Sequence, residues 1–395
     1  LDAATGKLQW RQFTGGPVRY APAIVDERMY LGSDDGYVYC LALDGGALLW
    51  RQRLAPTERR IPGNGRLVSP WPVRTGVVVD EGVAYAAAGL YPSQGVYVAA
   101  LAAATGEVLW KQQINHTAHG YLLIAEDRLI VPTGRSTPVV LEKADGRFLG
   151  QLPGAPGSYA VAVEQNVYTG RGNEGALEAA RLEARESLVS IPAQHLCVAP
   201  EAALLLGGGL LRAVDLARYT ELGATLKARH AEYKSLADEL AELEEEDNVA
   251  ERVGQARAQL DHFRQSIREL ESAREACVKW THGANHAGCL AVASETVVVG
   301  GQGKVALNAL ADGQLLAELS IDGVALGVAI AEGRLFLSDE EGKIYCFAEG
   351  PAATIQTDRA PEPFEPTDAW QAAVQRIVEE RLAPTFGATL GYGVV

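Results

Sequence analysis

The sequence predicts an all-β chain: a seven- or eight-bladed β-propeller with an inserted antiparallel α-helical coiled-coil hairpin and a truncated α/β tail. Three observations carry that reading. A strand–turn–strand unit recurs along the 395 residues, and a fixed repeat decides architecture before any single element does. One repeat is split by a long run with heptad spacing. Beyond Gly350 the composition shifts to Pro, Ala, Glu and Thr.

The unit is clearest at Tyr37-Val38-Tyr39-Cys40-Leu41-Ala42, which alternates with the period of two of a pleated strand. Asp44-Gly45-Gly46 turns the chain, since Gly accepts positive φ, and Leu48-Leu49-Trp50 begins the return strand. The pattern recurs from Gln94 to Trp110, from Gly301 to Leu316 and, as a first half, at Glu341–Phe347. Seven apolar stretches, each with a charged turn, open the units near Ala21, Val77, Tyr121, Ala160, Leu196, Leu290 and Val328. The fourth unit reads as having a degenerate second half. Four short strands per unit mean radial blades. Leu1–Trp10 is a second half with nothing in front of it, expected to lie as the last strand on the seventh blade or, with further strands upstream, on an eighth.

Trp10, Trp50, Trp110 and Trp280 share one repeat position at the end of the outermost strand, so they are expected to pack between neighbouring blades. Cys40 and Cys346 also share a position and are expected to be small buried residues. Five cysteines without a Cys-x-x-Cys argue against a zinc knuckle or a disulfide scaffold, and they leave the compartment open. An extracytoplasmic, periplasmic site is one alternative.

The fifth unit has its third strand at Ala213–Leu216 and its return at Cys277–Trp280. Between them, Tyr219, Leu222, Leu226, Arg229, Tyr233, Leu236, Leu240 and Leu243 form one heptad seam. Val249, Val253, Ala256, Leu260, Phe263, Ile267, Leu270, Arg274 and Cys277 form the other. Arg229 and Arg274 weaken continuous apolar packing. Asp247 or Asn248 is placed to cap the second helix. The domain plan is therefore a propeller over 1–350, a hairpin over 217–277, a linker over 351–367 and a further domain starting at 368–395. A helix is expected over Asp368–Leu382 and a strand from Tyr392. Beginning and stopping inside repeats, the sequence reads as part of a longer protein.

The formal charge of −15 excludes a general electrostatic footprint for nucleic acid. No run approaches 18 apolar residues, so no membrane-spanning helix is expected.

Two sets of residues are candidates for ligand binding. His116, His119, His195, His282 and His286 lie where the chain crosses from an outer strand to the next inner one. They could line a mouth for a metal or an anion, although the spacing matches no metal motif and no metal ligands are assigned. Arg66, Trp71 and Arg74, with Arg19 and Arg135 at comparable repeat starts, could hold a carboxylate or phosphate, or could form inter-blade salt bridges. Gly207-Gly208-Gly209 lacks the Lys-Ser/Thr of a phosphate loop and reads as a tight turn.

Asp2-Ala3-Ala4-Thr5-Gly6-Lys7-Leu8-Gln9-Trp10, and less closely Ala104–Trp110, resemble the repeat of the quinoprotein-like (PQQ-repeat) β-propellers. Pro62–Leu67, Trp71–Gly76, Val131–Arg135 and the tail are also similar to planctomycete-type proteins that fuse such a propeller to a class I methyltransferase. That resemblance implies S-adenosylmethionine only through a domain beyond Val395. Quinone catalysis in the family uses adjacent cysteines and an Asp base beside Ca²⁺. No adjacent cysteines exist here, and no cofactor is expected in these residues. The function expected is a non-catalytic binding or assembly platform, with the 217–277 hairpin reaching a protein partner or a second copy. The rival is an enzyme, either a quinone-dependent dehydrogenase or a methyltransferase through the further domain.

Overall fold

The computed structural model describes residues 1–63, 66–172, 175–244, 249–284 and 287–349, together with Ala372 and Arg376. These fall into two compact units, one within Leu1–Leu109 and one within Trp110–Gly350. The linker expected over 351–367 and the strand from Tyr392 lie outside the described residues. Of the helix expected over Asp368–Leu382, only Ala372 and Arg376 are described, and both are helical.

In the first unit, Ala23–Val25, Arg28–Gly32, Tyr37–Ala42 and Leu48–Arg53 form an antiparallel sheet in chain order. Asp26 and Glu27 both have positive φ, so the first hairpin is a two-residue turn whose twist suits the strands it joins. Val78–Asp80, Val83–Ala88 and Val96–Ala102 follow in a second sheet. The core between the two sheets places Tyr30, Val38 and Cys40 against Ala84, Ala86, Ala88 and Leu101. The row of alanines lets the second sheet approach closely.

The second unit opens with two four-stranded sheets, Leu123–Gln151 and Tyr159–Ile191. The fourth repeat is therefore not degenerate: Leu177–Arg181 and Glu186–Ile191 complete it, despite lacking the Asp-Gly turn and the terminal Trp. The next sheet runs His195–Val198, Ala203–Gly207, Leu210–Val214 and Val278–Gly283. Gly207 pairs with Leu210 across Gly208 and Gly209, both at positive φ, which makes the triple glycine a hairpin turn.

The helical insertion leaves this sheet intact. Leu210–Val214 pairs with Val278–Gly283, and the Asp215 N–H bonds the Cys277 carbonyl at 2.9 Å. Helix α1 spans Leu216–Leu243 and helix α2 spans Ala250–Glu275. Asp215 caps α1 by accepting from the Arg218 N–H. Val249 precedes α2 and offers no side-chain cap; Asp247 and Asn248 lie outside the described residues.

The last two repeats depart from expectation. They share one five-stranded sheet, in which Leu315–Ala331 runs unbroken for 17 residues. Its first part pairs with Thr296–Ala309 and its later part with Arg334–Asp339. Gln302 pairs with Val324, a link that carries the ladder across the boundary between repeats. Ile344–Phe347 is the final member of that sheet. Cys346 lies on it and is exposed, whereas Cys40 is covered by Leu48–Arg53 and buried. One repeat position thus gives opposite burial: Cys40 lies in the core between the first two sheets, and Cys346 is exposed on the last strand of its sheet.

Leu1–Trp10 forms no strand, contrary to the expectation that it would complete a sheet. Its Asp-x-x-Thr-Gly turn forms nonetheless: the Asp2 carboxylate accepts from the Thr5 N–H at 2.7 Å and from the Thr5 hydroxyl at 2.6 Å. Trp10 lies on Gly46 of the first sheet's last hairpin. Trp50 lies on Gly106, Trp110 on Gly146 and Trp280 on Gly313 in the same way. Three of these indoles donate to a backbone carbonyl of the hairpin they cover: Trp50 to Ala103, Trp110 to Lys143 and Trp280 to Leu310, at 2.9–3.1 Å. Each ring covers the turn of the following repeat, so the tryptophans tie neighbouring repeats within a unit.

Candidate functional site

Asp34 lies in the turn two residues beyond the strand Arg28–Gly32, next to Ser33, and its side chain is 6% exposed. Three segments meet there. The Asp34 N–H bonds the Pro17 carbonyl at 2.9 Å. Arg19 Nε donates to one carboxylate oxygen at 2.9 Å. Arg74 donates to both oxygens, from Nε and Nη2, at 3.2 Å each. The two arginines sit in matching lead-ins, Pro17-Val18-Arg19 and Pro72-Val73-Arg74. Val18 bridges Ser33 and Val73 bridges Ala88. Pro72 accepts from Gly89 as Pro17 does from Asp34. The second repeat therefore has Gly89 where the first has Asp34, and both arginines converge on the single acid.

The cluster carries one net positive charge. Arg19 is 42% and Arg74 27% exposed, so N–H groups of both guanidinium forks remain toward solvent. Beside them, Asp35 accepts from the Gly15 N–H and from the Tyr39 hydroxyl. Burial first, and that bond second, push the Tyr39 phenol up to about 12.

Trp71 is buried in the core between the first two sheets, with its indole N–H on the Gln94 carbonyl at 2.6 Å. It serves packing rather than an open ring face. Arg66 begins the strand Arg66–Val68, which pairs with Ile61–Gly63. Arg135 is exposed in the second unit, next to the buried Thr133. The structure thus brings Arg19 and Arg74 together through Asp34, a residue the sequence analysis does not single out. The duplicated Pro-Val-Arg was the available signal.

The described histidines have separate local partners. His116 stacks on Phe148 at 5.8 Å, with its Nδ1 buried and unpaired. The His119 N–H bonds the Pro132 carbonyl. His195 meets Tyr159 edge-on at 5.8 Å, and burial lowers its pKa. His282 Nε2 lies 2.9 Å from the Asp312 carbonyl and edge-on to Trp280. His286 lies outside the described residues. Among the described residues, no group of three or more His, Cys, Asp or Glu is placed to hold a metal ion.

Helices α1 and α2 run antiparallel. Tyr219 meets Arg274, Arg229 meets Phe263, Tyr233 meets Arg264 and Glu244 meets Arg257. Every described seam position from Tyr219 to Leu243 and from Val253 to Cys277 is buried or half-buried. The seam arginines pack over rings of the facing helix, with Arg229 Nε and Arg274 Nη2 buried without a hydrogen-bond partner. Arg274 lies 4.1 Å over Tyr219 and donates to its carbonyl, and Arg229 lies 5.1 Å over Phe263 and pairs with Glu232. The base of α1 leans on the sheet Tyr159–Ile191. Thr220 shares a buried hydrogen bond with Tyr168, Glu221 pairs with Arg181, and Lys227 bonds Ser187. Beyond that strap, the outer faces of both helices are exposed.

Residues 34–176 match a family model described as "Outer membrane protein assembly factor BamB". BamB from Moraxella catarrhalis is a similar solved structure, at 11% identity and TM-score 0.54, covering 88% of each chain. The computationally designed Ika8 protein aligns at 11% identity and TM-score 0.47, over 87% of this chain and all of its own. No curated protein sequence matches. No described helix is long and apolar enough to cross a membrane. Residues 34–176 thus match a PQQ-repeat family model, and the fold of the chain is similar to that of the BamB structure.

Proposed function

We propose that the chain is a binding and assembly platform, non-catalytic in itself, with the α1–α2 hairpin as a coiled-coil interaction arm. The observation that carries this reading is the way the hairpin is mounted. Both ends are fixed at strand spacing by the Asp215–Cys277 bond, and the base is strapped to a neighbouring sheet. Helices of 28 and 26 residues then extend roughly 40 Å at 1.5 Å per residue. A rigid mount suits presentation to a partner. The family description names an outer membrane protein assembly factor, which supports an assembly role and an extracytoplasmic site. Arg19 and Arg74 form a secondary contact point, where their solvent-facing N–H groups suit a carboxylate on that partner.

Deleting Leu222–Leu270 tests the arm, because it removes most of the hairpin and keeps Thr220 and Glu221. Cross-linking and size-exclusion should show a lost partner or a lost oligomer with the sheet signal unchanged. Unchanged mass and unchanged partners would sink the reading. Mass spectrometry of the purified chain for a bound quinone tests the dehydrogenase rival. A Gly-rich loop encoded after Val395 would favour the methyltransferase one.

A further inference from the structure

The first unit carries a basic face on a chain of formal charge −15. It begins on the strand Leu48–Arg53, where Arg51 lies 5.1 Å over the Tyr37 ring. The Tyr37 hydroxyl donates to Glu58, and Arg53 lies 3.8 Å from the same carboxylate. Arg59 and Arg60 follow Glu58 in the chain and are exposed. Arg60 donates to the Gly15 carbonyl at 3.3 Å, and the Gly15 N–H donates to Asp35 at 2.8 Å. Asp35 adjoins Asp34, which holds Arg19 and Arg74. This continuous set places Arg19, Arg51, Arg53, Arg59, Arg60 and Arg74 against Asp34, Asp35 and Glu58, a net charge of +3. Among the described residues, Arg51, Arg59 and Arg60 make no salt bridge, which leaves their charge open to a partner.

The far end of the α1–α2 hairpin has the opposite character. Residues 238–251 hold eight Asp and Glu and no Lys or Arg. Asp238, Glu239, Glu242 and Glu251 are exposed. Asp238 and Glu242 are an i,i+4 pair of like charge, which disfavours the helix unless an opposite charge approaches from outside. We infer that the acidic end of the hairpin of one copy docks on the arginine face of a second copy. The inference rests on the hairpin's being an interaction arm, and it names the arm's partner. Guanidinium forks match carboxylates in a planar, two-bond geometry, and the rigid mount delivers these carboxylates as a preformed group. A lipid or nucleic-acid phosphate surface would be repelled by the charge of the rest of the chain. A second copy instead brings the complementary acids at equal concentration.

Sedimentation velocity of the whole chain tests the inference. Wild type is expected to sediment above the mass of one copy at about 0.05 M salt and to dissociate at about 1 M, where the screening length falls to about 3 Å. One variant combines Arg51→Glu, Arg59→Glu and Arg60→Glu; the other combines Asp238→Lys, Glu239→Lys and Glu242→Lys. Each alone sets like charges against each other and should weaken association at least about ten-fold. An equal mixture of the two makes every contact complementary again and should regain the wild-type mass. Should one variant lose its circular-dichroism signal, the other decides alone. A wild type that stays a single copy at low salt, a folded variant that associates as wild type does, or two folded variants whose mixture stays dissociated, overturns the inference. Assembly lost on deleting Leu222–Leu270 but kept in the arginine variant overturns it too, and leaves the hairpin standing as an arm for another surface.

Discussion

Arg74 straddles the Asp34 carboxylate, one nitrogen to each oxygen at 3.2 Å. The acid belongs to the first repeat and the base to the lead-in of the second. Arg19 completes the cluster from the first repeat's own lead-in. Removing the charge should therefore loosen two junctions at once. Asp34→Asn is expected to cost about 1–3 kcal/mol in urea unfolding, since it leaves two guanidinium groups under-paired. Arg74→Met should cost more than Arg19→Met, because it loses two bonds at a less exposed site.

Gly45 and Gly46 offer a matched comparison. Their φ values are 70° and 66°, so alanine is strained by the same amount at either, about 1 kcal/mol. Gly45 has nothing near a new Cβ, whereas at Gly46 that atom would lie 2.3 Å from Trp10. Gly46→Ala should be more destabilising by about 1–3 kcal/mol, the cost of displacing a packed ring. Equal melting temperatures would show that Trp10 is not held on the turn.

The two helix glycines should respond in opposite directions. Gly254 in α2 has open space around it, and Gly254→Ala is expected to stabilise the hairpin by about 0.5–1 kcal/mol through helix propensity. A Cβ added at Gly223 in α1 would lie 3.0 Å from Val189 and 3.2 Å from the Arg274 guanidinium carbon. Gly223→Ala should lose that gain to overpacking. Thermal unfolding followed at the helical circular-dichroism signal separates the two.

His195 sets a pH dependence. Burial lowers its pKa below the ordinary 6.5, so the folded state holds it neutral while the unfolded chain protonates first. Its contribution to stability is full above about pH 6.5 and declines as pH falls through the folded value. His195→Gln should flatten the fall in stability below about pH 6.5. An unaltered pH profile would rule the group out as the cause.

Local repetition made much of this architecture legible. The spacing of three and four placed every described seam residue of the hairpin on the packed side, from Tyr219 to Cys277. The shared position of four tryptophans implied one docking mode, and Gly46, Gly106, Gly146 and Gly313 receive them. What the period does not contain is what lies beside each repeat. Cys40 and Cys346 look alike in the chain, yet Cys40 is buried against the neighbouring sheet and Cys346 is exposed. The Gln302–Val324 pairing that merges the last two repeats depends on backbone geometry shared between units. Asp34 was hidden for a related reason: its importance comes from Gly89, the equivalent position that lacks a carboxylate.

The Asp215–Cys277 bond has one more consequence. It lets the sheet close independently of what the chain does beyond the strapped base of α1, provided it leaves and returns side by side. That junction is a socket, and another rod of paired helices, longer, shorter or differently charged, could be plugged in without rebuilding the scaffold beneath it.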